Sequence, residues 1–152
     1  MIDQFHQISI RGRYIYCYLC LKNAISAKSL EDIPVFLNDI LKNYTNTSRL
    51  DIWQESADEV LPSVVLDEGN NANRFKIISK EQVLTLKNYY KKNELATHLI
   101  ENLIELGIAN LYGGFKSHFT FEYVQDVIDL MNASEITLPD FTIVSLCSVN
   151  EY

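Results

Sequence analysis

Apolar side chains three and four residues apart recur in segment after segment of this chain. That period places them on one face of an α-helix and excludes a regular strand, whose side chains alternate. Ile33, Phe36, Leu37, Ile40, Leu41 and Tyr44 form one such face. Leu50, Trp53, Ala57, Val60 and Leu61 form the next, Ala96, Leu99, Ile100, Leu103 and Ile104 another, and Tyr123, Val124, Val127, Ile128 and Met131 the last. The run Tyr14-Ile15-Tyr16-Cys17-Tyr18-Leu19-Cys20-Leu21 is apolar nearly all round. It reads as a central buried helix over 9–26, with a buried strand as the competing assignment, because short apolar runs are ambiguous. The pattern predicts a mainly α fold, a single-domain bundle of about six helices. At 152 residues, 47% hydrophobic, the chain has the length and composition to close one core over 1–152.

Boundary residues refine the helices. Asp32 is the expected N-cap of the second helix, with Pro34 tolerated in its first turn. The third runs from Ser48 to Leu61 and stops at Pro62. Val64-Val65-Leu66 and Phe75-Lys76-Ile77-Ile78 flank the turn-rich 67–73, so 64–78 is expected to be a short β-hairpin or an ordered loop. Ser79-Lys80-Glu81-Gln82 has the capping-box spacing and predicts a helix to about Lys92. Asn93 can cap the following helix, for which Gly107 is the expected C-terminal residue. Tyr112-Gly113-Gly114-Phe115 reads as a tight connection, followed by a helix from about Phe119 to Asn132. The tail 141–149 is apolar enough to dock on the core as a strand or short helix.

Charge divides the chain unevenly. Residues 1–92 hold 12 Lys+Arg against 11 Asp+Glu, whereas 93–152 hold 1 against 9, so the net charge of −7 resides in the C-terminal part. Helical periodicity collects these acids into outward stripes: Glu94, Glu101 and Glu105 beside His98 on one helix, and Glu122, Asp126 and Asp129 on the last. Asp51, Glu55, Asp58 and Glu59 form a similar group on the third helix. Amphipathic helices need solvated faces and carboxylates serve there, but Lys and Arg normally intersperse to offset self-repulsion. An uncompensated acidic face would speed association with a basic partner. Arg74, Lys76, Lys80, Lys87, Lys91 and Lys92, opposed only by Glu81, make the opposite case. Tyr89-Tyr90-Lys91-Lys92 interleaves rings and cations as nucleic-acid binders do. Lysines at a helix C-terminus also complement its dipole, and an acidic chain repels a polyanion, so no nucleic-acid partner is expected.

No stretch spells out catalysis or a cofactor. Cys17 and Cys20 have C-x-x-C spacing, but a structural zinc needs two further ligands, and Cys147, His6, His98 and His118 show no ligand spacing. The two thiols are expected to be buried and inert. Glu94 and His98 stand one turn apart on a solvated face. The carboxylates of the third helix would need a matching facing cluster to hold magnesium. Gly113-Gly114 lacks the Lys-Ser or Lys-Thr of a phosphate loop. The first residues carry no basic leader, and Tyr14–Leu21 is less than half a membrane span, so a cytoplasmic chain without a membrane segment is expected.

A small, acidic, helical, motif-poor chain resembles the immunity proteins that bacteria carry beside polymorphic or contact-dependent toxins. The resemblance is one of whole-chain character, with Arg11-Gly12-Arg13-Tyr14 and Leu50-Asp51-Ile52-Trp53 running on to Leu61-Pro62 as the nearest local signatures. It implies a stoichiometric inhibitor that covers or distorts the active site of one cognate toxin, with no catalysis of its own; no metal or cofactor is expected. Many such toxins are basic nucleases, for which Glu94, Glu101, Glu105, Glu122, Asp126 and Asp129 would be the partner-binding residues. The alternatives are a metal-dependent hydrolase using helical carboxylates and a regulatory helical scaffold module.

Overall fold

A computed structural model describes residues 2–69, 72–112 and 118–145. After a 3-10 turn at Ile2–Gln7 come α1 (Ile10–Ala27), α2 (Val35–Asn46), α3 (Leu50–Val60) and the single-turn α4 (Pro62–Val65). A 3-10 turn at Ala72–Arg74 leads to α5 (Lys80–Lys92), α6 (Glu94–Tyr112), α7 (His118–Ala133) and a last 3-10 turn at Phe141–Ile143. The described residues are mainly helical, as the apolar period predicts.

α1 is the central element and is a helix, not a strand. Ser9 caps it by accepting from the Gly12 amide at 3.1 Å. It packs against α6 and α7 and, on another side, α2. A helix buried on most of its girth can carry tyrosines only if each hydroxyl finds an acceptor. Tyr14 donates to the Leu41 carbonyl (2.6 Å), Tyr16 to that of Pro139 (2.8 Å) and Tyr18 to Asn38 Oδ1 (2.7 Å). Arg13, fully buried on the same helix, donates to the Phe5 carbonyl through Nε and Nη2 (3.0 and 2.8 Å) and to Thr120 Oγ1 through Nη1 (2.8 Å). Its guanidinium also lies 4.2 Å from the Phe121 ring centre. The N-terminal turn, α1 and α7 are thereby tied at one point, and of the Arg11–Tyr14 segment Gly12, Arg13 and Tyr14 are buried while Arg11 is exposed.

Four expectations are corrected. Pro34, not Asp32, occupies the N-cap of α2, without a side-chain cap, because its ring fixes φ at −50° while ψ is still extended at 137°. Among the described residues the 64–78 segment forms no hairpin: Pro62 starts α4 at the first helical position, and 72–74 is a 3-10 turn. Gly107 lies inside α6 rather than at its end. A Cβ there would come within 2.6 Å of Trp53 Cη2, so glycine serves close packing of α6 on α3. Trp53 is fixed by donating from Nε1 to the Ile40 carbonyl (2.8 Å) and by edge contact with Tyr44, which stacks on Tyr14 at 4.0 Å between ring centres. Glu59, expected to face outward, is buried.

The capping box of α5 forms as predicted: Ser79 Oγ accepts from the Gln82 amide and Gln82 Oε1 from the Ser79 amide (3.1 and 2.9 Å). Helix α6 is the shared wall of the bundle, meeting α1, α3, α4, α5 and α7. Of the expected inner faces, Ala96, Leu99, Ile100, Leu103 and Ile104 on α6 and Val124, Val127, Ile128 and Met131 on α7 are buried, whereas Tyr123 is only half-buried. In the tail, the 3-10 turn at 141–143 docks through Phe141, edge-on to Phe5 at 5.2 Å. The glycine connection at 113–117 and the end of the tail, 146–149, lie outside the described residues. No helix among the described residues is long and apolar enough to cross a membrane.

Candidate functional site: an acidic face on three helices

Helices α6 and α7 pack against each other with their apolar stripes inward, so their carboxylate stripes emerge as neighbours. Glu122, Asp126 and Asp129 are exposed, one turn apart along α7; Glu101 and Glu105 are half-buried on α6. Tyr123 sits at the seam. Burial raises its pKa first, and the charges of Glu105, Glu122 and Asp126 add to the rise, which places it within reach of both stripes. The carboxyl of Glu105 is likewise raised by burial and then by Glu101 and Asp58. That of Asp126 is raised by burial and then by Glu122 and Asp129. Glu105, Glu122 and Asp126 thus flank Tyr123, with Glu101 beside Glu105 and Asp129 beside Asp126, in one acidic face that Asp58 extends onto α3, where the Arg74 charge partly offsets it. Sequence periodicity groups Asp58 with the α3 acids instead, because it shows which side a residue faces but not which helix lies beside it.

Glu94 stands apart from this coupled group. Its carboxylate is exposed, 4.0 Å from His98 Nε2 one turn along α6. Asp129 accepts from the Gln125 amide at 2.8 Å. Glu101 has a local function in the fold: one oxygen, Oε2, accepts from the Ser63 backbone amide at 3.0 Å. That amide is among those left without an intrahelical acceptor in the first turn of α4.

The α3 acids behave differently. Asp51 is held by Arg49 in a two-point contact (Nε–Oδ1 3.0 Å, Nη2–Oδ2 2.8 Å), which lowers its pKa to about 2. Glu59, only 3% exposed, accepts from the backbone amides of Lys76 and Ile77. Between α3 and the 73–77 segment lies an open cleft of about 620 Å³ lined by Glu55, Asp58, Glu59, Asn73, Arg74, Lys76 and Ile77. It mixes both signs of charge and so lacks the one-sided field of the α6–α7 face.

The remaining chemical candidates resolve into packing. Cys17 and Cys20 are buried free thiols; burial pushes Cys17 well above its ordinary pKa and Cys20 to about 12, which suppresses the reactive thiolate. Tyr89 and Tyr90 are buried and donate to the carbonyls of Glu31 (3.1 Å) and Val60 (2.6 Å), so neither ring is presented for base stacking. No three His, Cys, Asp or Glu side chains gather as metal ligands among the described residues. No family model, curated protein sequence or solved structure matches the chain, so the functional reading rests on its own side chains.

Proposed function

We propose that this chain is a non-catalytic binding protein whose α6–α7 carboxylate face docks on a basic protein, as an immunity protein docks on and neutralises a cognate toxin. One observation carries the reading: Glu105 faces the like charges of Glu101 and Asp58, Asp126 faces those of Glu122 and Asp129, and Tyr123 between them lies within reach of both groups. After Lys92 the sequence supplies only Lys116 as a basic side chain. Mutual repulsion is a cost that a cationic partner relieves, while the long-range field raises the encounter rate. The metal-dependent alternative would need a ligand cluster that these outward acids do not form among the described residues.

The test is stopped-flow association with a basic toxin domain encoded beside this chain. The wild-type rate is expected to fall about ten-fold or more between about 20 and 300 mM salt. Glu122→Lys combined with Asp126→Lys should slow association at low salt and flatten that dependence. Rates indifferent to both salt and charge reversal overturn the reading.

A further inference from the structure

A second, smaller cavity lies at the edge of the acidic face, a groove of about 210 Å³ between α4 and α6 lined by Pro62, Ser63, Leu66, Thr97, His98, Glu101 and Asn102. Ligand pockets for whole small molecules run from roughly 300 to 1,000 Å³, so this groove is sized for a single side chain. Pro62 and Leu66 offer apolar walls. The Glu101 carboxylate is held in place through Oε2 by the Ser63 amide, leaving Oε1 without a hydrogen-bond partner among the described residues. Asn102 spends its side-chain NH2 on the His98 carbonyl at 2.9 Å, so its side-chain oxygen remains an acceptor.

An apolar wall with a fixed carboxylate and an amide oxygen suits a long aliphatic stem ending in a cation. We propose that this groove is the anchor pocket for one lysine side chain of the basic partner. The inference deepens the acidic-face reading and rests on it. Lysine fits better than arginine because its ammonium needs only one free oxygen, whereas a guanidinium fork is best met by both carboxylate oxygens, and Oε2 is already engaged. The same feature explains why Glu101, the one acid of this face that accepts from a backbone amide, remains useful for binding: a pre-positioned charge loses little freedom on association.

The experiment is an amide chemical-shift titration of the whole chain with N-acetyl-lysine methylamide. Norleucine and arginine analogues serve as the uncharged and forked controls. The expected result is saturable shifts at Ser63, Leu66 and Asn102 with lysine, weaker ones with arginine and none with norleucine. Glu101→Gln keeps an oxygen for the Ser63 amide but loses the charge, and should weaken lysine binding about ten-fold. Leu66→Ser should weaken it without touching the charge, and Asp126→Lys should leave the groove shifts in place. Shifts confined to Glu122, Asp126 and Asp129 overturn the pocket while leaving the acidic face standing; tighter binding of arginine overturns the choice of lysine. Groove shifts together with toxin association indifferent to charge reversal support the pocket and remove the acidic-face reading instead.

Discussion

Helix α3 and the α6–α7 pair both read as amphipathic helices with carboxylates on the solvent side, yet their acids serve opposite purposes. On α3, Asp51 is neutralised by Arg49 and Glu59 is drawn inward onto two backbone amides. On α6 and α7 the carboxyls of Glu105 and Asp126 are raised by burial and then by neighbouring acids, and the acids of the two helices meet no lysine or arginine among the described residues. Asp51 and Glu59 are thus engaged within the chain, whereas the acids of α6 and α7, with Asp58 beside them, keep a negative field. The difference lies in what faces each helix. α3 borders the 73–77 segment, which brings it the Lys76 and Ile77 amides and basic residues, whereas α6 and α7 border each other.

The largest expected effect separates these two roles. Glu59→Ala removes the acceptor for the Lys76 and Ile77 amides. Hydrogen bonds to a charged group contribute roughly 1.5–3 kcal/mol each, and buried donors left unmet add to the loss, so about 3 kcal/mol should disappear from the unfolding free energy in urea. Glu101→Ala frees only the exposed Ser63 amide, which water can serve, and should cost under about 1 kcal/mol. Equal losses for the two would erase the distinction between structural and available carboxylates.

The seam joining the two regions gives the next effect. Gly107→Ala on α6 would set a methyl 2.6 Å from Trp53 Cη2 on α3, with Tyr14 Cε2 at 3.3 Å on another side. The indole cannot swing aside while its Nε1 donates to Ile40. Overpacking costs roughly 1–3 kcal/mol, against a gain of about 0.5–1 kcal/mol from replacing a mid-helix glycine, so a net loss of about 1 kcal/mol is expected in thermal unfolding. A stabilised variant would show that the α3–α6 seam is looser than its distances imply.

These two positions also mark where the sequence stops being legible. The capping box at Ser79, the inner faces of α6 and α7 and the central α1 follow from local rules, because capping and periodicity act within a few residues. Gly107 reads locally as a helix end, and only the ring of Trp53, more than fifty positions earlier in the chain, makes it an interior residue. Glu59 borders the apolar face of α3, and its inward turn depends on amides supplied by residues 76 and 77. Val64 and Val65 favour strands by propensity, yet Pro62 at the first helical position and the Glu101 carboxylate on the Ser63 amide support a helical turn. The acids of the candidate face were readable one helix at a time. Their union across α6, Tyr123 and α7, and the groove beside Glu101, required knowing which helices are neighbours.

The smallest expected effect is the pH dependence that the two kinds of acid impose with opposite sign. Glu105 and Asp126 have folded-state pKa values raised above their ordinary 4.5 and 3.8, so the folded chain holds those protons more tightly than the unfolded one. Stability must therefore rise as pH falls from neutrality towards the raised values. Asp51 and Asp140 are lowered, Asp51 by the Arg49 contact and Asp140 by the Thr142 amide, so what they contribute is present above the ordinary carboxylate pKa and lost as pH falls through their folded values. Both Glu105 and Asp126 are partly solvated, which limits each contribution to a few tenths of a kcal/mol. The urea midpoint should accordingly increase slightly between about pH 7 and pH 5 and decline below about pH 4. Glu105→Gln with Asp126→Asn should raise the neutral-pH midpoint and flatten the gain on acidification, while Asp51→Asn should leave that gain intact and soften the acid-side decline. A double variant less stable at neutral pH would mean that these carboxylates, like Glu59, are held by the fold, and would remove the support for the acidic face as the proposed docking surface.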